Sequence, residues 1–446
     1  MLALAIILAP SANAASFTLS EALALAYETN PQLDSARAVL ESLDQGVAQA
    51  DAGWRPTVSA SGSYGLERGT VQGIAAPFNS YPLIGQVTVS EPVFRGGRTF
   101  AEIGHAISLV RAGRAQLTAT EESVLLSAVT AYMDVVRDST SVELGRENVR
   151  TLESELKAVT SELAAGAVTH TDELQAEARL ARAKSDLAVA DLNLAASRAE
   201  FESVIGRPAE SLEDAPPMPR LPATTDEALS LALRLNPNLV AAKENIRAAD
   251  YAVDDAAGAL LPEVSVSGQY QYLRDAAGTN IFATKSPQQI LSVLGQVSIP
   301  IYQGGDDEAT VRRAKDVLHR YELDSVTAER GVRQNVETSW QALLSEKLAL
   351  AASDAEAQAD QAAVGGVSQE RQGGERSELD VLNAQQEYIN ARIAANVARH
   401  DYIIAAFRVL SATGQLTARD LGLAVKLYDP RTHYEENAHA WFGFGE

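Results

Sequence analysis

The side chains that could do chemistry are few and scattered. Six histidines, His105, His170, His319, His400, His433 and His439, fall at no metal-ligand spacing such as that of an HExxH helix. The chain has no cysteine, so disulfides, thiolate metal sites and thiol nucleophiles are absent together. Neither a GxSxG elbow nor a Walker A or GxGxxG phosphate loop is present. Gly304, Gly305 and Asp306 open a helix, where N–H groups attract anions, but the adjacent strand end and acids read as a strand-to-helix turn. No enzyme, metal or cofactor is expected. Two acids stand apart because they recur: Asp172 returns as Asp380. Each follows a glycine-bearing helix turn and sits in the first turn of the next helix, where the dipole favours a carboxylate.

The recurrence extends through the whole chain, and it supplies the elements that carry these acids. Asn30-Pro31 returns as Asn236-Pro237, Tyr64 as Tyr270, Gly96-Gly97 as Gly304-Gly305, and Gly206 as Gly414. A repeat of about 200 residues is a duplicated half-protein rather than a solenoid unit. The expected organisation is a signal peptide at 1–14, a first repeat at 15–215, a proline-rich linker at 216–224, a second repeat at 225–420 and a tail at 421–446. The first segment ends in Ala12-Asn13-Ala14, a small-x-small cleavage pattern, although its first basic residue is Arg37. No stretch without charges reaches the length of about 20 residues that a transmembrane helix needs.

Within each repeat a helix over Ser20–Ala52, and again Thr225–Ala257, is expected, capped by Ser20 or Thr225 and kinked or broken at Pro31 or Pro237. The period then changes from helix to strand. Val58, Ala60, Gly62 and Tyr64 alternate with Thr57, Ser59, Ser61 and Ser63; Val87 and Val89 alternate with Gln86, Thr88 and Ser90. In the second repeat Val264, Val266, Gly268 and Tyr270 alternate with serine and glutamine, as do Val293, Val297, Ile299 and Ile301. One apolar and one small polar face over about ten residues is the pattern of a membrane β-barrel strand, although a half-buried soluble hairpin alternates in the same way. Four strands cannot close a barrel, so copies of the chain must share one.

A long helix from Arg98 to about Ala165 follows, then one from Asp172 to about Ile205. The second carries a seven-residue seam of Leu180, Leu187, Leu194 and Phe201, with Ala176, Ala183, Ala190 and Ser197 four places before each. Large residues facing small ones at this period describe knobs-into-holes helix packing. A formal charge of −22 excludes nucleic-acid partners, which need clustered lysine and arginine.

The pairing of EALALAYETNP with GWRPTVSASGSYG, the hairpin ends EPVFRGG and IPIYQGG, and the helix turns LAAGAVTHTDELQAEARLA and RQGGERSELDVLNAQQEYINAR resemble the TolC family of outer-membrane export channels over residues 17–423. The resemblance implies a mainly α protein with a transmembrane β-barrel: a homotrimer with a twelve-stranded barrel among outer-membrane lipid, continued by a coiled-coil helical tunnel in the periplasm. It implies a passive duct that meets a periplasmic adaptor and an inner-membrane ABC or RND transporter, in type I secretion or drug efflux. Gly166, Val168 and Thr169, and Gly374, Arg376 and Ser377, match the family's entrance turns and so imply adaptor-docking positions. Asp380, with Asn383 and Asp172, would lie at the entrance, where a ring of carboxylates binds cations. Some relatives carry a second acid where this chain has Asn383, which weakens any such ring. The lipid-facing strand residues implied are Val58, Tyr64, Val87, Val89, Val264, Val266, Tyr270, Val297 and Ile299. The tail VKLYDPRTHYEENAHAWFGF resembles the secretion-type branch. The competing reading is a non-conducting coiled-coil stalk, which has no use for strands with an apolar outer face; a periplasmic hydrolase lacks its catalytic residues.

Overall fold

The computed structural model describes residues 17–70, 78–214, 216–274, 287–441 and 443. The expected signal peptide lies outside them. The first repeat runs α1 (Leu19–Thr29), α2 (Pro31–Asp51), β1 (Thr57–Tyr64), β2 (Glu67–Gly69), β3 (Phe78–Ser80), β4 (Leu83–Arg95), α3 (Arg98–Ala164) and α4 (His170–Ile205). The second runs α5 (Thr225–Leu235), α6 (Pro237–Gly258), β5 (Glu263–Arg274), β6 (Gln288–Ser298), α7 (Asp306–Gln372) and α8 (Glu378–Thr413), before a short α9 (Pro430–Asn437).

The chain forms two compact units. One contains 17–38, Ala115–Val240 and Thr327–Tyr428; the other contains Val39–Arg114, Ala241–Val326 and the segment from Asp429 onward. In the first unit, the Asn-Pro pairs end one helix and start another, and the asparagine also joins that break to a third helix. The Asn30 amide donates to Val204 O of α4 at 3.0 Å while its carbonyl accepts from Gln32 N at 2.9 Å. Asn236 repeats both bonds, to Ala412 O of α8 and from Asn238 N. Asparagine offers a donor and an acceptor on one short side chain, and proline at the first helical position needs no N–H partner. Gly414, left-handed at φ 78°, ends α8 against this break; a Cβ there would lie 2.7 Å from the Leu235 carbonyl. The helix caps stand earlier than Ser20 and Thr225. Thr18 accepts from Glu21 N with Glu21 reaching back in a capping box, and Thr224 accepts from Glu227 N. The threonines win because each has a glutamate three residues on, where its N–H is an orphan donor.

The α4 seam is buried along much of its length: Ala176, Leu180, Ala183, Leu194, Ser197 and Phe201 are all buried, while Leu187 and Ala190 are half-buried. Val149 and Leu152 of α3 meet Leu180 and Ala183 of α4 and Leu382 of α8 in one cluster. At the other end of this unit, fully buried Phe201 meets the rings of Phe17 and Tyr132 at 6.4 Å and 6.3 Å. The Tyr132 hydroxyl lies 2.8 Å from Phe17 O and from Glu213 N, anchoring both the start of the described chain and the segment after α4.

In the second unit the four long strands form one antiparallel sheet in the order β1-β4-β5-β6. β2 and β3 make a separate two-stranded sheet in what reads from sequence as a loop. Ile299 and Ile301 lie beyond the end of β6, so Ile299 is not a strand residue as expected. Among the described residues no helix is long and apolar enough to cross a membrane.

Candidate functional site: paired helix turns and an apolar sheet face

The two helix turns lie in the first unit and share one local design. After α3, Gly166 takes φ 79° and Ala167 N donates to Glu162 O at 2.9 Å. After α7, Gly374 takes φ 79° and Glu375 N donates to Glu370 O at 3.0 Å. Such a left-handed closing residue satisfies the last helix carbonyls, and only glycine adopts it without a Cβ penalty. Thr169 and Ser377 then cap α4 and α8. Asp172 and Asp380 complete the two boxes, each accepting the cap residue's own N–H, at 2.8 Å and 3.0 Å. These backbone bonds hold both carboxyls below the usual carboxylate range. Val168 is half-buried between Gly166 and the cap.

The structure adds partners that sequence reasoning missed. Arg371, in the last turn of α7, reaches Glu162 of α3 at 2.9 Å and also pairs with Glu378, the first residue of α8. Arg179 of α4 donates to Asn383 Oδ1 at 2.6 Å and to Leu382 O at 3.2 Å. Asn383 is thus held by a cation, while Arg376 pairs with Glu370 of its own turn at 3.0 Å. No local pattern reveals these ties, since Arg371 and Glu162 lie 209 residues apart. The only sequence hint is a basic residue in the last turn of α7, where the dipole favours one.

Glu378 is the one acid here that is pushed upward, to about 7, chiefly by burial and then by a hydrogen bond with Glu155. A carboxyl whose folded pKa exceeds its unfolded value binds an extra proton in the folded turn. Its favourable contribution is complete below 4.5, and it is lost as pH rises through about 7. The protection factor of the amides at the start of α8, which divides out the base-catalysed rise of the intrinsic exchange rate, should therefore fall between about pH 5 and 8 in the wild type. The Glu378→Gln variant should stay flat over that range, and a slope as steep as wild type would assign the effect to another group.

The sheet in the second unit has two unlike faces. Cross-strand partners share a face, so the register places side chains without ambiguity. Val58 pairs with Val89, Ala60 with Val87 and Tyr64 with Leu83. Val87 continues to Tyr270, and Phe94, past an irregularity, to Val264. Val264 continues to Val297 and Tyr270 to Leu291. The strand residues expected from sequence, Ile299 apart, therefore fall on one face. Its side chains are exposed, among them Val58 at 69% and Leu291 at 77%. The opposite face runs Ser59, Thr88, Gln269 and Ser292 in one row. It is less uniform than the pattern implied, since Ile290 and Leu294 also lie on it.

Charges bound the central stretch of the apolar face, which continues past Glu91 to Phe94, Val264 and Val297. Arg274 lies beside Leu83 at one end and Glu91 beside Val266 at the other. The interval is about 27 Å along β4 at 3.4 Å per residue, near the height of about 25 Å typical of the apolar band on membrane barrels. Among the described residues no cluster of His, Asp and Glu could hold a metal.

A long-helix fold with a lipid-compatible sheet face defines a channel-tunnel class of outer-membrane protein, and comparison with known proteins agrees. The family model "Outer membrane efflux protein" matches residues 22–207 and 228–415, and the chain belongs to that family. It is similar to the outer membrane efflux protein BepC of Brucella suis biovar 1, at 33% identity over 96% of this chain and 92% of that one. It is 25% identical to the alkaline protease secretion protein AprF of Pseudomonas aeruginosa, over 71% of this chain and 68% of that one. The CmeC outer membrane channel of Campylobacter jejuni shares the fold, with a TM-score of 0.80 over 94% of this chain and 89% of that one at 17% identity. The protein is an outer-membrane channel.

Proposed function

We propose that the protein is the passive outer-membrane duct of a type I secretion or tripartite efflux system. Three copies close the sheet into a twelve-stranded barrel, and the long helices extend into the periplasm. The observation that carries this reading is the two-faced sheet with open edges: among the described residues β1 and β6 each have a partner on one side only. An unpaired edge in hydrocarbon costs several kcal/mol for each backbone group, so a membrane sheet must close, here only with further copies. Cargo passes to the duct from an inner-membrane ABC or RND transporter through a periplasmic adaptor. The turns carrying Gly166, Val168 and Thr169, and Gly374, Arg376 and Ser377, are the docking positions. Asp380, with Asp172 and Asn383, lines the entrance. The likeness to a protease secretion protein favours protein cargo, while the likeness to an efflux protein favours small molecules.

Purified protein in planar bilayers tests the duct. Wild type should show a small conductance that divalent cations reduce, and Asp380→Ala should conduct more or lose that block. The lowered pKa keeps Asp380 ionised at neutral pH, so block should weaken only in acid. Folded, trimeric protein without conductance would instead support the stalk.

A further inference from the structure

In the segment after Tyr428, His433, Tyr434, His439 and Trp441 meet partners elsewhere in the second unit. The Asp429 side chain accepts from Arg431 N at 2.9 Å and caps α9. One turn on, His433 Nδ1 lies 2.9 Å from Asp44 of α2, whose side chain is only 1% exposed. Arg114 of α3 stands 5.2 Å from the Tyr434 ring and reaches Pro430 O at 3.5 Å. Arg55, just after α2, stands 4.8 Å from the Trp441 ring, donates to Ala440 O at 2.6 Å and is held by Asp51 at 2.6 Å. One short segment thus grips α2, the turn into β1 and α3 through two cation–π contacts and a polar contact on a buried carboxyl.

Of these receiving residues the two arginines belong to the first repeat alone, while the aspartate recurs. At the matching places the second repeat carries Asp250 for Asp44, Leu261 for Arg55 and Glu322 for Arg114. Asp250 is exposed, and Glu322 is paired with His319. The second repeat thus carries no guanidinium at either of those two places. We infer that residues 429–441 form a built-in peptide ligand that recognises the first repeat and not the second, with one site per protomer. The strap makes the two halves of a duplicated protein unequal: among the described residues it clamps α2 and not α6. This inference is independent of conduction.

The test ends the chain after Tyr428 and supplies a synthetic peptide of residues 429–446 to the purified protein. Hydrogen exchange across residues 39–51 should be at least about tenfold faster in the truncated protein, because local opening no longer breaks the strap contacts. The peptide should restore protection, and calorimetry should count one bound per protomer. Unchanged exchange, no binding or two peptides per protomer would each overturn the proposal. Should the shortened chain fail to fold, the full chain carrying Arg55→Leu and Arg114→Glu makes the same measurement, with the same faster exchange expected and unchanged exchange overturning it. His433→Ala supplies a separate readout, since it leaves the buried Asp44 carboxyl without its imidazole partner. Adding Asp44→Asn should then recover most of the lost protection; no recovery would remove the His433–Asp44 contact from the recognition.

Discussion

A chain carrying Val87→Arg and Leu291→Arg is exported but does not assemble into the outer membrane. Both residues lie in the row Ala60, Val87, Tyr270, Leu291, midway between the charged ends of the central stretch of the apolar face. A guanidinium facing lipid at the bilayer midplane costs about 2–4 kcal/mol, and a shared barrel counts that cost once per copy for each site. Fractionation followed by unheated gel electrophoresis reads the result: the oligomer band should vanish from the outer-membrane fraction. A normal heat-resistant oligomer would sink the barrel assignment. Val266 and Val297, which the alternation alone would nominate, are poorer choices. Val266 pairs with Glu91, and Val297 is the penultimate residue of β6, where lipid-facing charges cost only about 0–1 kcal/mol. Thr88→Arg, on the polar face, is the matched control and should assemble.

Phe201→Ala has the second large effect, on the helical part. The ring is fully buried against Phe17 and Tyr132, beside the hydroxyl that fastens Phe17 and Glu213. Removing a buried phenylalanine side chain costs about 3–5 kcal/mol, through lost transfer energy and the cavity left behind. Thermal or urea unfolding of the detergent-solubilised protein should show that loss, whereas Leu192→Ala on the same helix, 67% exposed, should change little. Equal effects would mean that the ring contacts are not what stabilises this end of α4.

How much was legible in advance depended on whether the information was local. The duplication, the break at Asn-Pro, the α4 seam and the strand alternation are periodic signals, and a period forces side chains onto one face whatever packs against it. The glycines of the helix turns were legible for a similar reason, because a left-handed residue is a single-residue constraint. The caps were missed by one or two residues, since serine and threonine compete for the role and a glutamate's reach decides the winner. The β2–β3 pair was missed because three-residue strands leave too short a pattern.

Beyond these, the sequence by itself determined the class of elements and the family: long helices, two-faced strands and a tandem repeat, all written in neighbouring residues. Tertiary structure alone decided who meets whom. It brought Arg371 to Glu162, Arg179 to Asn383 and His433 to Asp44, which are 209, 204 and 389 residues apart. It also tied the Asn30 break to Val204 of α4, and set Glu91 and Arg274 at the ends of the central stretch of the apolar face. The physical reason is common to these cases. A hydrogen bond or ion pair needs its partner within about 3 Å, and chain distance carries no such information until the helices and strands have packed.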